Sequence, residues 1–308
     1  MKFSIAIHGG AGTLVKGMMT PELELRYKAD LEKALDAGYK ALENGKSSVD
    51  AVEIAVNILE DSPLFNAGKG SVFTANETHE MDASIMEGKE LNAGAVSLIS
   101  GIKNPISLAR DVMEKSEHVF LAGEGAMTFA KINGYSQEPD SYFYDELRHN
   151  QWLEIKDTDS FQLDHSKSKD SKFGTVGAVA CDKEGNIAAA TSTGGMTNKK
   201  FGRIGDSPMV GAGNYANNET CAISCTGSGE FFIRGVVAYD VACLIEHKNY
   251  SLEKAADEVI NNRILKLGGD GGLIAVNAKG DIAMPFNTEG MYRGCRDSEG
   301  KKEVLIYK

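Results

Sequence analysis

A chain of 308 residues is long enough to bury a substantial core, as one large domain or two ordinary ones. Its net charge of −11 repels phosphate backbones, so nucleic acid is not an expected partner. The five cysteines, Cys181, Cys221, Cys225, Cys243 and Cys295, lack zinc spacing and leave one unpaired in any disulfide set, which suits a reducing compartment.

The N-terminus, Met1 to His8, reads as a short strand rather than the longer apolar core of a signal peptide, and no run approaches the ~18 apolar residues of a membrane span. A soluble, cytoplasmic protein without a membrane partner is expected. A helix is predicted from Thr20 as N-cap and Pro21 as first residue, with Leu23, Tyr27, Leu31, Leu35 and Leu42 near one face, to Asn44-Gly45. A second starts at Ser48, where Val52, Val56 and Leu59 beside Ala51 and Ala55 suggest close packing. Strand-like runs follow at Glu80 to Met86 and Ala93 to Ile99, helical patterns at Pro105 to Lys115 and Ala126 to Ile132, and a strand at His118 to Leu121. From about Gln137 to Lys172 the periodicity fades, and the polar stretch ending Asp164 to Lys172 has the composition of a flexible linker. Beyond it come hairpins at Thr175 to Thr193 and Gly272 to Phe286, separated by helical patterns at Gly229 to His247 and Ser251 to Leu265.

The junction Phe173-Gly174-Thr175-Val176 reads as a cut site that creates a nucleophile. A threonine hydroxyl is weak until a base adjoins it, and cleavage before Thr175 would supply its own α-amine, which titrates near pH ~7.7 to 8.0. Gly174 can take backbone angles closed to other residues, and the β-branched Thr175 holds its oxygen in few rotamers. Other motifs fail: Gly227-Ser228-Gly229 lacks the spacing of a nucleophile elbow, His79-Glu80 with Asp82 lacks a second histidine at helical spacing, and no cysteine has an obvious histidine partner.

Further blocks accompany the junction: Ile5 to Gly12, Pro63 to Gly70, Met81 to Ser84, Thr191-Ser192-Thr193-Gly194-Gly195, Gly202 to Pro208, Ser224 to Glu230 and Pro285 to Arg293. Together, in this order, they resemble the plant-type L-asparaginases, also called isoaspartyl peptidases, a group of N-terminal-nucleophile hydrolases. The resemblance implies an α+β fold, a four-layer αββα sandwich. One folded domain would form from an α subunit, 1–174 with the linker at about 137–174, and a β subunit, 175–308, with two cleaved protomers associating as (αβ)2.

It also implies roles. Thr175 would be the nucleophile of an amidohydrolase acting on L-asparagine and on isoaspartyl dipeptides, through a covalent acyl-enzyme that releases L-aspartate. Thr193 would hydrogen-bond it, and Thr226 and Gly227 would donate to the oxyanion. Arg203 and Asp206 would hold the α-carboxylate and α-amino group of the substrate, with Gly229 nearby. Asn66 would contact the freed Thr175 amine, and Gly9 and Gly10 would lie beside the site. No catalytic cofactor is implied, but a structural sodium ion is, held by the carbonyls of Leu59, Glu60, Ser62, Phe65, Ala67 and Lys69. A glycosylasparaginase would carry aspartate where Gly174 stands. An uncleaved amino-acid binding protein is the alternative from another class. Ser228 departs from the histidine found there in some relatives.

Overall fold

The computed structural model describes residues 2–157 and 174–308. Strand β1 (Ser4–Gly12) leads into α1 (Pro21–Glu43), which starts where Thr20 Oγ1 accepts from Leu23 N at 3.2 Å, and into α2 (Ser48–Glu60), closed by a capping box of Ser47 and Asp50. Then come β2 (Met81–Glu87), β3 (Ala93–Ile99), α3 (Pro105–Lys115), β4 (Phe120–Ala122) and α4 (Gly123–Ile132), close to the predicted spans.

Part of the predicted linker is helical. Residues 140–155 form α5 (Asp140–Phe143) and α6 (Glu146–Ile155). Aromatic partners distant in sequence hold them: Phe73 lies 6.3 Å from Trp152 and 5.2 Å from His149, ring to ring, and Phe143 and Trp152 are buried. The rest of the predicted linker, 158–173, lies outside the described residues.

After residue 174 the chain forms β5 (Val176–Cys181), β6 (Ile187–Thr193), β7 (Asn214–Ala216), β8 (Ala222–Gly227), α7 (Gly229–Gly235) and α8 (Val237–Lys248). The single predicted helix over 229–247 is broken at Val236, whose φ is 46°. A helix α9 (Leu252–Asp257) continues through a π-wound stretch, Glu258–Ile264, into the short α10 (Leu265–Leu267). The chain closes with β9 (Gly271–Val276), β10 (Ile282–Ala283), β11 (Gly290–Asp297) and β12 (Lys302–Tyr307).

The strands make an eight-stranded sheet, ordered β12-β11-β1-β5-β6-β2-β3-β4, and a four-stranded one, ordered β10-β9-β8-β7. Alternation along the strands builds four layers. Ile5, Ile7, Ala178 and Ala180 pack with α1 to α4, while Ala6, Val179 and Cys181 turn inward to Ala222, Ile274 and Val276 of the second sheet. Ile223, Cys225, Leu273 and Ala275 face α7, α8 and the α9–α10 layer. The fold is thus the expected αββα sandwich, and strands from before and after residue 174 interleave in the larger sheet.

Trp152→Ala should lower the unfolding free energy by about 3–5 kcal/mol in urea titration. A true linker at 140–155 would leave it unchanged.

Candidate active site

Thr175 stands immediately before β5, where the chain enters the larger sheet. Its carbonyl lies 3.0 Å from His8 Nδ1, and Ser224 Oγ lies 2.8 Å from His8 Nε2. A carbonyl can only accept, so Nδ1 carries the proton and Nε2 accepts from Ser224. Burial pushes His8 down to about 3, leaving the ring neutral. The chain of bonds continues from Ser224 Oγ to Thr191 Oγ1 at 2.7 Å, which accepts from Asn214 Nδ2 at 3.1 Å. This network joins both sheets beneath the nucleophile. Sequence reading missed it, although His8 and Ser224 both lie in the blocks that carried the resemblance.

The hydroxyl of Thr175 donates to Thr193 Oγ1 at 3.1 Å, and Gly195 N donates to that same oxygen at 3.0 Å. Asn66 already meets the junction in the uncleaved chain. Its main-chain N–H donates to the Gly174 carbonyl at 3.0 Å. Its side chain is spent elsewhere, donating to Gly195 O at 2.7 Å and accepting from Val72 N at 3.1 Å. Asn66 therefore grips the acyl side of the 174–175 bond and braces the Gly195 turn. Gly174 has φ +69°, and a Cβ there would lie 2.5 Å from Gly10 Cα and 2.7 Å from Gly9 O, so only glycine fits. Gly9 and Gly10 do lie against the junction.

Thr175, Thr193, Arg203, Asp206, Thr226 and Gly227 line one pocket with Asn66 and Gly174, and its wall is completed by residues sequence reading left out, Met196 and Ser207 among them. The strands β8 and β9 pass so closely that Cβ atoms on Gly227 or Gly271 would strike the opposite backbone within 2.4 Å. Ser228, after Gly227, hydrogen-bonds Asp270 through its side chain and its N–H donates to Asp270 O at 3.0 Å, fixing the turn that follows Thr226 and Gly227.

Arg203 and Asp206 meet across Gly229, whose Cβ would lie 2.9 Å from both Arg203 Nη2 and Asp206 Oδ1. Burial pushes Asp206 up to about 7, and its Oδ2 is buried with no hydrogen-bond partner among the described residues. A carboxylate oxygen left unmatched on a pocket wall suits a cationic ligand group. Arg203 is not idle: it donates to Glu230 from Nε at 2.8 Å and from Nη2 at 3.0 Å. Burial acts to raise Glu230, and the arginine outweighs it, holding the carboxyl below its usual range. Behind the wall, Lys199 Nζ donates to Glu80 O at 2.8 Å, and Asp82 Oδ1 accepts from Leu98 N at 3.0 Å. Burial moves Lys199 down and Asp82 up, each toward its neutral form.

Among the described residues no cluster of histidine, cysteine, aspartate and glutamate could hold a metal, and His79 instead bonds Ser71. The 59–69 loop has the other chemistry a cation can use. Cβ atoms on Gly68 and Gly70 would lie 2.5 Å from Glu60 O and 2.0 Å from Phe65 O, so the loop is wound tightly around its own carbonyls. Leu59 O, Phe65 O and Ala67 O each accept an internal bond, from Ser62 N, Ala67 N and Gly70 N, and each keeps a second lone pair. Neutral oxygen donors of this kind, at Leu59, Phe65 and Ala67, suit a hard monovalent cation. The Glu60 side chain serves the fold: burial pushes it up to about 8, it accepts from Ser192 Oγ at 2.6 Å, and it caps α3 by accepting from Ile106 N at 3.0 Å.

A family model described as asparaginase matches residues 1–306. The chain belongs to the asparaginase family. This asparaginase-family chain is 52% identical over 295 residues to an isoaspartyl peptidase of Escherichia coli, covering 95% of this chain and 92% of that protein. It is 45% identical to a putative isoaspartyl peptidase/L-asparaginase of Dictyostelium discoideum, at 95% and 93% coverage. It is 42% identical to a plant-type L-asparaginase of Pyrococcus abyssi, at 94% of each chain.

Ser224→Ala leaves the buried His8 Nε2 without its donor. Urea unfolding should show a loss of about 1–3 kcal/mol, and an unchanged midpoint would deny the network its structural part.

Proposed function

We propose that this protein is a self-processing threonine amidohydrolase that breaks the β-amide of L-asparagine and of isoaspartyl dipeptides, releasing L-aspartate. One observation carries the substrate class: the buried carboxylate oxygen of Asp206, without a hydrogen-bond partner among the described residues, lines the same pocket as Arg203 and Thr175. The pair reads an ammonium and a carboxylate on one α-carbon. Whatever hangs from the β-amide nitrogen lies outside that clamp, so asparagine and β-linked dipeptides are both served. The names of the relatives agree with this reading.

Self-processing starts with Thr175 Oγ1 attacking the Gly174 carbonyl carbon, its proton passing to a neighbouring acceptor, with Thr193 Oγ1 the nearest. Negative charge grows on Gly174 O, which already accepts from Asn66 N. The C–N bond then breaks, the nitrogen takes a proton, and an ester joins Gly174 to Thr175. Water cleaves that ester, leaving a Gly174 carboxylate and a free Thr175 with both hydroxyl and amine.

In turnover the freed amine removes the Oγ1 proton as the oxygen attacks the substrate β-carbonyl. The oxyanion is met by the Thr226 hydroxyl and Gly227 N–H, donors of a kind worth about 2.7–4 kcal/mol each. The amine's proton passes to the leaving nitrogen, which departs as ammonia or as the second amino acid. Water, deprotonated by the same amine, then hydrolyses the aspartyl ester and restores Thr175. The reading includes sodium in the 59–69 loop, which would hold Asn66 and the Gly68–Gly70 turn in register, and assembly of cleaved protomers as a pair.

N-terminal sequencing of the smaller wild-type fragment should begin Thr-Val-Gly-Ala, and Thr175→Ala should stay intact and inactive; cleavage of that variant would end the mechanism. The affinity for L-aspartate should also depend on pH. Above about 7 Asp206 is charged and holds the ammonium; below that it is protonated, so the association constant should fall toward about tenfold per pH unit. Calorimetry on Asp206→Asn should show weak binding that no longer changes across this range.

A further inference from the structure

Glu230 was given no role by the sequence, yet it takes both oxygens to Arg203, receiving Nε–H at 2.8 Å and Nη2–H at 3.0 Å. A guanidinium carries five N–H donors arranged as two usable forks. Glu230 occupies the side-on fork, Nε with Nη2. The end-on fork, Nη1 with the second hydrogen of Nη2, makes no hydrogen bond among the described residues. Its surroundings are two glycines: a Cβ on Gly205 would sit 3.0 Å from Nη1, and one on Gly229 would sit 2.9 Å from Nη2. Gly205 and Arg203 both line the pocket, and Gly229 separates the arginine from Asp206. The side chain of Glu230 is 49% exposed against 20% for Arg203, so the glutamate lies on the solvent side of the pair.

Resting on the functional reading above, we infer that Glu230 is a positioning residue, a prop that locks Arg203 side-on so that its end-on fork receives the substrate α-carboxylate. A long arginine side chain unsupported at a cleft mouth would lose several rotamers on each binding event, and the prop removes that loss beforehand. The rival role for the same contact is competition, in which Glu230 takes the seat of the substrate carboxylate and must be displaced. The two roles give opposite signs.

Glu230→Ala and Glu230→Gln proteins, confirmed as cleaved before Thr175, are assayed for asparagine hydrolysis and for L-aspartate binding by calorimetry. The prop predicts a KM and an aspartate Kd raised about tenfold in the alanine variant, less in the glutamine variant, with kcat within about twofold. It also predicts that Glu230→Ala adds no further loss in an Arg203→Ala background, because the effect runs through that side chain. Tighter binding in either single variant would establish competition and overturn the inference, as would unchanged values or an equal loss in the Arg203→Ala background. A wild-type protein that neither hydrolyses asparagine nor binds aspartate would instead sink the functional reading itself.

Discussion

The site depends on one constraint, the fixed path of the main chain through Gly174 and Thr175. Three grips hold it. Asn66 N–H takes the carbonyl before the junction, His8 takes the carbonyl after it, and the glycines of β1 leave just enough room for Gly174 between. Because His8 is neutral and its other nitrogen is tied to Ser224 on the second sheet, the register of both sheets is felt at the nucleophile. The side chain of Thr175 then needs only one short bond, to Thr193, to face the pocket.

The pocket itself is organised by incomplete charge matching. A fully paired surface would offer a ligand nothing but competition. Here Asp206 keeps an unmatched buried oxygen, and Arg203 keeps an unspent fork beside two glycines. Leaving such groups unsatisfied costs folding free energy, and burial pushes the Asp206 carboxyl up, toward its neutral form. The surrounding sandwich, with its three apolar layers, is large enough to carry it.

Much of this could be read from the sequence where local chemistry speaks for itself. Thr20 with Pro21 marked the start of α1, and Asn44-Gly45 its end, because caps act within a few residues. The pocket-lining residues came from ordered blocks, and the structure gathers Thr175, Thr193, Arg203, Asp206, Thr226 and Gly227 around one pocket. What stayed hidden depends on distant partners. Helix α6 has almost no hydrophobic periodicity and is held by Phe73, far along the chain. Strands β11 and β12 went unrecognised because β11 is rich in Gly and Arg and reads as a strand only once paired with β1. The hold of Asn66 on the Gly174 carbonyl runs through a main-chain N–H, which leaves no mark on a sequence. Glu230 stood in plain view within a recognised block, but nothing short of its contact with Arg203 gave it meaning.

The central claim is that Thr175 Oγ1 carries the acyl group. Acid quenching of the cleaved protein during asparagine turnover, followed by peptide mass spectrometry, tests it most directly. The account predicts an aspartyl ester on the fragment that begins with Thr175, appearing only while substrate remains. Steady turnover with that residue unmodified, or with the aspartyl group on another side chain, would contradict it.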